Sequence, residues 1–295
     1  VMGIDEVRTL LRTSWHFTTV SCTPLDGGMN SLAWLVELDG RRCVAKAVPA
    51  PERRPFEAGL AAAEHLSANG LAAGRPVRAA DGALSVRTDH STMALLEYVP
   101  GRPLVRDDPL DQHWWGDALG SAHRRLAGFA HPGLSRFQLL RTDGAHLGVE
   151  DWVRPAVADA MAAMARLTVT DQLTYGTSHG DPSPDAFRFD LDTGHTGIID
   201  WGSAGTGPLM YDVASAVMYA GGPPAAGDLV EAYLSAGLVS RDELEATLPT
   251  MLRFRYAVQA YYFAHRVHTD DRRGIEGPEE NLKGLHDARD LLHTA

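Results

Sequence analysis

Apolar residues Val7, Leu10 and Leu11 fall on one face at helical spacing and predict an opening helix. The period then shortens. Strand-like runs cover 15–22, 32–38 and 42–48, with Asp26-Gly27-Gly28 and Asp39-Gly40 as the turns between them. A helical stretch follows over about 55–69, and Gly70 stands where a C-cap belongs. Asp81-Gly82 predicts a further hairpin, and 93–98 is apolar enough for a buried strand. Pro100-Gly101-Arg102-Pro103 breaks the pattern and marks a hinge. Beyond it the spacing is mostly helical, over about 108–129, 150–166, 208–220, 226–236, 241–268 and 276–293. A strand-rich part followed by a helix-rich part predicts an α+β protein of two lobes, 1–99 and 100–295, with a cleft between them.

One stretch inside the helical part departs from helical spacing. Phe187-Arg188-Phe189 alternates like a short strand, Leu191-Asp192-Thr193-Gly194 reads as its turn, and 196–199 returns as a second strand ending at Asp200. Just upstream lies Ser178-His179-Gly180-Asp181-Pro182-Ser183-Pro184-Asp185-Ala186. A tight hairpin brings its two ends together, so Asp181 and Asp200 can converge although nineteen positions separate them. Such a pair suits phosphoryl transfer. One carboxylate orients an acceptor hydroxyl and takes its proton, while the other holds Mg²⁺ on nucleotide phosphates.

Composition narrows the field. With 44% hydrophobic residues in 295, the chain can bury a substantial core. No window of about eighteen residues is continuously apolar, so no membrane span is predicted. The first residues show neither a basic region nor an apolar run, and the expectation is a cytoplasmic protein. Cys22 and Cys43 lie in strand-like runs and read as small buried hydrophobes. The thirteen histidines make no metal-ligand spacing with them. The net charge of −11 is uneven, with −1 in 1–100 and −10 in 101–295. An acidic second part disfavours nucleic acid and anionic membranes and attracts cations.

The His179-Gly180-Asp181 block, the downstream Ile199-Asp200-Trp201 block and the upstream strand Cys43-Val44-Ala45-Lys46-Ala47-Val48 together resemble the aminoglycoside phosphotransferase and choline-kinase-like family, relatives of the protein kinases. The resemblance covers nearly the whole chain. It implies a kinase-like fold with a small antiparallel sheet lobe carrying one helix, and a larger helical lobe. It also implies ATP or GTP with Mg²⁺ as cofactors and a small-molecule acceptor. Lys46 looks like the lysine that holds the α- and β-phosphates. Its partner would be a glutamate on the next helix, Glu57 in preference to Glu64. The Leu25–Ser31 segment looks like the family's nucleotide loop, in which Gly27 and Gly28 let backbone approach phosphate and Ser31 donates a hydrogen bond. Backbone groups of Glu97 and Val99 would bind the adenine edge. Asp181 resembles the catalytic aspartate, Asp200 the Mg²⁺ ligand, and His179 a brace for the loop. Asp212, in Tyr211-Asp212-Val213-Ala214, would stabilise that loop as a cap.

One position departs from the family pattern. Where the family carries a second metal ligand, an asparagine, this chain has Ala186. Asp185, next to it, carries the oxygen a hard cation prefers. Three readings stay open: a shifted loop that brings Asp185 to the metal, a contact given over to water, or a protein that binds nucleotide without transferring phosphate. For the acceptor, the last long helix offers Arg253, Tyr256, Gln259, Tyr261, Tyr262, His265 and Arg266, although an aromatic stripe also suits a core. The acidic second part favours a cationic acceptor, first an antibiotic of the aminoglycoside or basic peptide type, with modification as resistance. The family also phosphorylates metabolites such as homoserine and choline.

Overall fold

The fold is taken from a computed structural model that describes residues 2–18, 20–25, 31–38 and 40–294. The opening helix α1 (Ile4–Ser14) buries Val7 and Leu11 completely. Strands β1 (Val20–Leu25), β2 (Leu32–Leu38) and β3 (Arg41–Pro49) follow, then α2 (Arg53–Ala68) and strands β4 (Pro76–Val77), β5 (Val86–Arg87) and β6 (Ser91–Glu97). These six strands form one antiparallel sheet in the order β1-β2-β3-β6-β4, with β5 also on β6. The apolar face of the opening helix α1 packs into the core made by Trp34, Val36, Leu38 and Leu95. The strand expected over 15–22 starts later, at Val20. Trp15 ends α1 instead, and its indole N–H donates to the Val77 carbonyl at 2.7 Å.

Strand β7 (Arg102–Pro103), inside the expected hinge, pairs with Arg188 and Phe189 of a later hairpin. The helical part then contributes α3 (Pro109–Arg125), β8 (Ser135–Arg136), α4 (Val153–Thr168) and β9 (Tyr175–Ser178). The hairpin is β10 (Phe187–Asp190) with β11 (His195–Ile198), and β12 (Gly205–Pro208) follows it. Helices α5 (Met210–Ala220), α6 (Gly227–Leu234), α7 (Arg241–Thr269) and α8 (Pro278–Thr294) complete the chain. Asp190 sets the hairpin turn: its carbonyl accepts from Gly194 N at 2.8 Å and its carboxylate from Asp192 N and Thr193 Oγ1. The small sheet β8-β12-β9 was not expected. Its strands are short, and β9 and β12 carry glycines, so no alternation betrays them. Among the described residues no helix is long and apolar enough to cross a membrane. Both cysteines are buried free thiols.

Helix α2 links the two parts. Ala58, Ala62, Ala63 and Leu66 join the same core as α3, α4, α5 and α7. Gly59 lies against the turn that follows Asp200, and a Cβ there would stand 2.1 Å from the Trp201 carbonyl oxygen. Glycine inside a helix costs about 1 kcal/mol relative to alanine, so close backbone approach is the reason for it here. Gly59→Ala is expected to destabilise the protein by roughly 1–3 kcal/mol through overpacking and to lower activity by moving the Asp200 turn. Gly227→Ala, where a Cβ meets nothing within 4 Å, serves as the control. Thermal unfolding of the two variants checks this; equal stability of Gly59→Ala and wild type would refute the contact.

Candidate active site

The loop carrying Asp181 is held from beneath by a buried carboxylate. Asp212, in the first turn of α5, accepts from His179 N at 2.6 Å, Gly180 N at 2.9 Å and His123 Nε2 at 2.9 Å. The far nitrogen of His123 meets the Tyr233 hydroxyl at 2.9 Å. Burial alone would favour the neutral acid, but the His123 hydrogen bond and charge, with His179 and the Gly180 amide, hold Asp212 below the usual carboxylate range. Gly180 has φ +87°, and a Cβ on it would stand 2.2 Å from the Ser203 carbonyl oxygen, so the loop takes only glycine there. His179 donates from Nε2 to the Ile199 carbonyl at 2.9 Å and accepts the Asp181 amide at Nδ1, 3.3 Å. Its ring lies edge-on to Trp201 at 4.6 Å between centroids. His179 thus ties the Asp181 loop to the end of β11.

Asp200 follows that strand in a left-handed conformation, φ 66° and ψ 55°. For a residue other than glycine this costs roughly 1–2 kcal/mol, a strain that the surrounding contacts must hold. The neighbouring Ile199 N donates to the Ala186 carbonyl at 2.8 Å, and Trp201 Nε1 to the Ile198 carbonyl at 3.0 Å. The Asp200 carboxylate takes the Lys46 ammonium from β3. Desolvation favours its protonated form, yet the Lys46 charge and hydrogen bond outweigh this and hold Asp200 below its ordinary range. The Lys46 side chain is only 14% exposed, while Asp200 is 60% and Asp181 50% exposed, so both carboxylates stay open to solutes.

Other expected site residues fall as follows. Glu57 does not reach Lys46. It accepts from Ser85 Oγ at 2.8 Å and from Arg53 at 3.3 Å. The reason is helical phase: Gly59 faces the Asp200 turn, and two residues earlier on a helix points about 200° away. Glu64, the alternative, pairs with Arg78 at 2.6 Å. Ser31 immediately precedes β2 and is half-buried. Gly27 and Gly28 lie outside the described residues. Glu97 ends β6, opposite Cys43, and its N–H donates to the Arg75 carbonyl at 2.8 Å. The Val99 side chain packs beside Gly197 in β11. Asp185 is exposed in the short 3₁₀ turn Pro184–Ala186, and Ala186 is buried in the core.

Helix α7 meets the site through a residue the sequence reading passed over. Arg255, not Arg253, reaches Asp181, at 3.3 Å from Oδ1, and the Tyr219 hydroxyl of α5 donates to the same oxygen at 2.6 Å. Arg255 lies on the buried stripe Leu244, Leu248, Met251, Leu252, and a charge on such a stripe signals a partner. Tyr256 is core. Tyr261 lies edge-on to His146, and Arg266 ties α7 to α8 through Asn281 and to the segment before α8 through the Arg273 carbonyl. A cavity of about 510 Å³ bounded by Thr174, Leu238, Arg241 and Glu243 lies at the opposite end of β9 from the Asp181 loop. Its Glu243 is engaged by the Thr174 amide and hydroxyl at 2.7 Å each.

Known proteins share this architecture. A structure of the amicoumacin kinase hAmiN, in complex with AMP-PNP, Ca²⁺ and Ami, superposes with a TM-score of 0.76 at 15% identity, over 100% of this chain and 94% of that one. The GDP complex of aminoglycoside 2′-phosphotransferase-IIIa gives 0.71 at 17% identity, over 98% and 99%. At these identities the likeness concerns the fold. A homoserine kinase of Xanthobacter autotrophicus is 36% identical over 169 residues, 54% of this chain and about half (51%) of that protein. The family model of the phosphotransferase enzyme family, APH, matches residues 21–248, most of the chain, and the protein belongs to that family.

Proposed function

We propose that this protein moves the γ-phosphoryl group of ATP or GTP to a hydroxyl of a small, cationic acceptor. The observation that carries the reading is the meeting of Lys46 with Asp200 beside a loop that presents a half-exposed Asp181. In this reading, residues 1–99 hold the nucleotide and 100–295 the acceptor. Lys46 would pair with the α- and β-phosphates, and the Asp200 carboxylate would hold Mg²⁺. Asp181 orients the acceptor hydroxyl and takes its proton as the acceptor oxygen bonds to the γ-phosphorus and the bond to the departing ADP or GDP breaks. Gly27, Gly28 and Ser31 serve the phosphates, and backbone groups of Glu97 and Val99 serve the base. A cytoplasmic setting, where the nucleotide is supplied, suits the two buried free thiols.

The donor set fits Mg²⁺. Among the described residues no group of three or more potential ligands is gathered, and Mg²⁺ with a nucleotide is commonly held by one or two carboxylates, phosphate oxygens and water. When bound, the metal supplies charge neutralisation on the phosphates. Asp200 is the first such carboxylate and Asp185, exposed next to the missing asparagine, the second. Asp185→Ala is therefore expected to raise the Mg²⁺ concentration needed for half-maximal turnover. A Mg²⁺ titration checks it, and an unchanged requirement would remove Asp185 from the metal.

For the acceptor, an antibiotic of the aminoglycoside or basic peptide type is the first reading, supported by the −10 charge of residues 101–295. A metabolite of the homoserine or choline type is the second, favoured by the 36% identity to a homoserine kinase. Both are tested by nucleoside diphosphate release across a panel of cationic antibiotics and amino alcohols. Nucleotide binding without release for any acceptor would favour a non-transferring protein, the reading that Ala186 raises.

A further inference from the structure

Two residues outside the family motifs converge on one oxygen of Asp181. The Tyr219 hydroxyl donates to Oδ1 at 2.6 Å, and Arg255 Nη2 lies 3.3 Å from both Oδ1 and the Tyr219 oxygen. Arg255 is itself fixed. Its side chain is 5% exposed, its Nε donates to Ser215 Oγ at 2.8 Å, and Ser215 in turn donates to the Tyr211 carbonyl at 2.8 Å. The guanidinium also lies 5.7 and 5.8 Å from the ring centroids of Tyr211 and Tyr219. A guanidinium taken this far out of water needs a carboxylate partner, and among the described residues Asp181 supplies it. Both contacts fall on Oδ1, and the carboxylate remains half exposed.

We propose that Tyr219 and Arg255 are positioning residues for the transfer step: by occupying Oδ1 they fix the rotation of Asp181 and leave Oδ2 to meet the acceptor hydroxyl. The inference rests on the phosphotransferase reading above. In the step, the acceptor oxygen forms a bond to the γ-phosphorus, the bond from that phosphorus to the β-phosphate bridging oxygen breaks, and the hydroxyl proton passes to Oδ2. The diphosphate leaves with the electron pair of the broken bond. Neither Tyr219 nor Arg255 exchanges a proton. Their work is to make one oxygen the base rather than two in rotation, which is how a positioned group gains over a free one.

The test compares wild type, Tyr219→Phe, Arg255→Lys and the double variant on whichever acceptor of the panel wild type phosphorylates. Each is measured for kcat, acceptor KM, Mg-nucleotide affinity and thermal unfolding. Arg255→Lys keeps the charge in place of a truncation that would leave Asp181 unpaired. Loss of a hydrogen bond to a charged group should lower kcat roughly 10-fold in Tyr219→Phe, with acceptor KM, nucleotide affinity and unfolding temperature near wild type. Arg255→Lys should fall less, and the double variant should lose less than the product of the two, because both act through one oxygen. Wild-type kcat in Tyr219→Phe overturns the proposal. So does a kcat loss that runs parallel to lost nucleotide affinity or lost thermal stability, since that marks a structural role. If wild type itself phosphorylates nothing in the panel, the transfer reading falls and takes this role with it. Transfer by wild type with an unaffected Tyr219→Phe overturns the positioning role alone.

Discussion

Asp181→Asn is expected to lose ~10²-fold or more in kcat while binding Mg-nucleotide nearly as well as wild type. The substitution keeps the shape of the side chain and removes its basicity. The amide oxygen can still accept the Tyr219 hydrogen bond at 2.6 Å, but Arg255 loses its carboxylate partner, so thermal unfolding is measured alongside. The brace beneath the loop, Asp212 on the His179 and Gly180 amides, is untouched. Nucleotide contacts are assigned to Lys46 and Asp200, on other elements, so affinity should survive. Steady-state turnover with saturating acceptor, together with calorimetric nucleotide titration, checks both halves. Wild-type kcat, or loss of affinity in place of turnover, would show that Asp181 does different work.

Lys46→Ala and Asp200→Ala should each lower kcat/KM for the nucleotide by ~10²-fold or more, the scale seen when one preorganised charge is removed from a reacting site. The two differ in how they should respond to Mg²⁺. Lys46→Ala removes a point charge from phosphate and leaves the metal carboxylate free, so added Mg²⁺ should not restore it. Asp200→Ala removes the proposed metal ligand, so raising Mg²⁺ should recover part of the loss. Asp200→Ala also places alanine in a left-handed conformation at φ 66°, so its thermal unfolding must be measured alongside. Nucleotide titrations at two Mg²⁺ concentrations separate these effects. If both variants match wild type in affinity and turnover, the kinase reading fails.

Much of this arrangement is legible in the sequence where the local signal is chemical or strictly periodic. The alternation of Phe187 to Phe189 and the Asp-Thr-Gly turn place the hairpin, and the hairpin places Asp200. Strand β2 emerges over the expected residues because its apolar positions alternate toward one core. Glu57 shows where such reading stops. Spacing tells that two residues share a helix face, but the rotation of α2 is set by Gly59 against Trp201, a contact between residues far apart in sequence. Arg255 and Tyr219 stay hidden for a related reason. Tyr219 sits in a helix that is mostly core and Arg255 on the buried stripe of α7, and only the packing of α5 against α7 brings them to Asp181. Asp212 reads as a helix cap from its place at the start of α5. Its burial and its bonds to His179, Gly180 and His123 make it the support of the whole loop.

The central claim is that a phosphoryl group leaves the nucleotide and ends on a small hydroxyl compound. Mass spectrometry of the acceptor after incubation with Mg-ATP or Mg-GTP and wild-type protein tests it most directly, with Asp181→Asn as the control. The account predicts an acceptor heavier by one phosphoryl group in the wild-type reaction, with matching diphosphate release, and almost none with Asp181→Asn. A protein that binds Mg-nucleotide tightly yet leaves every cationic antibiotic and amino alcohol at its original mass would contradict it.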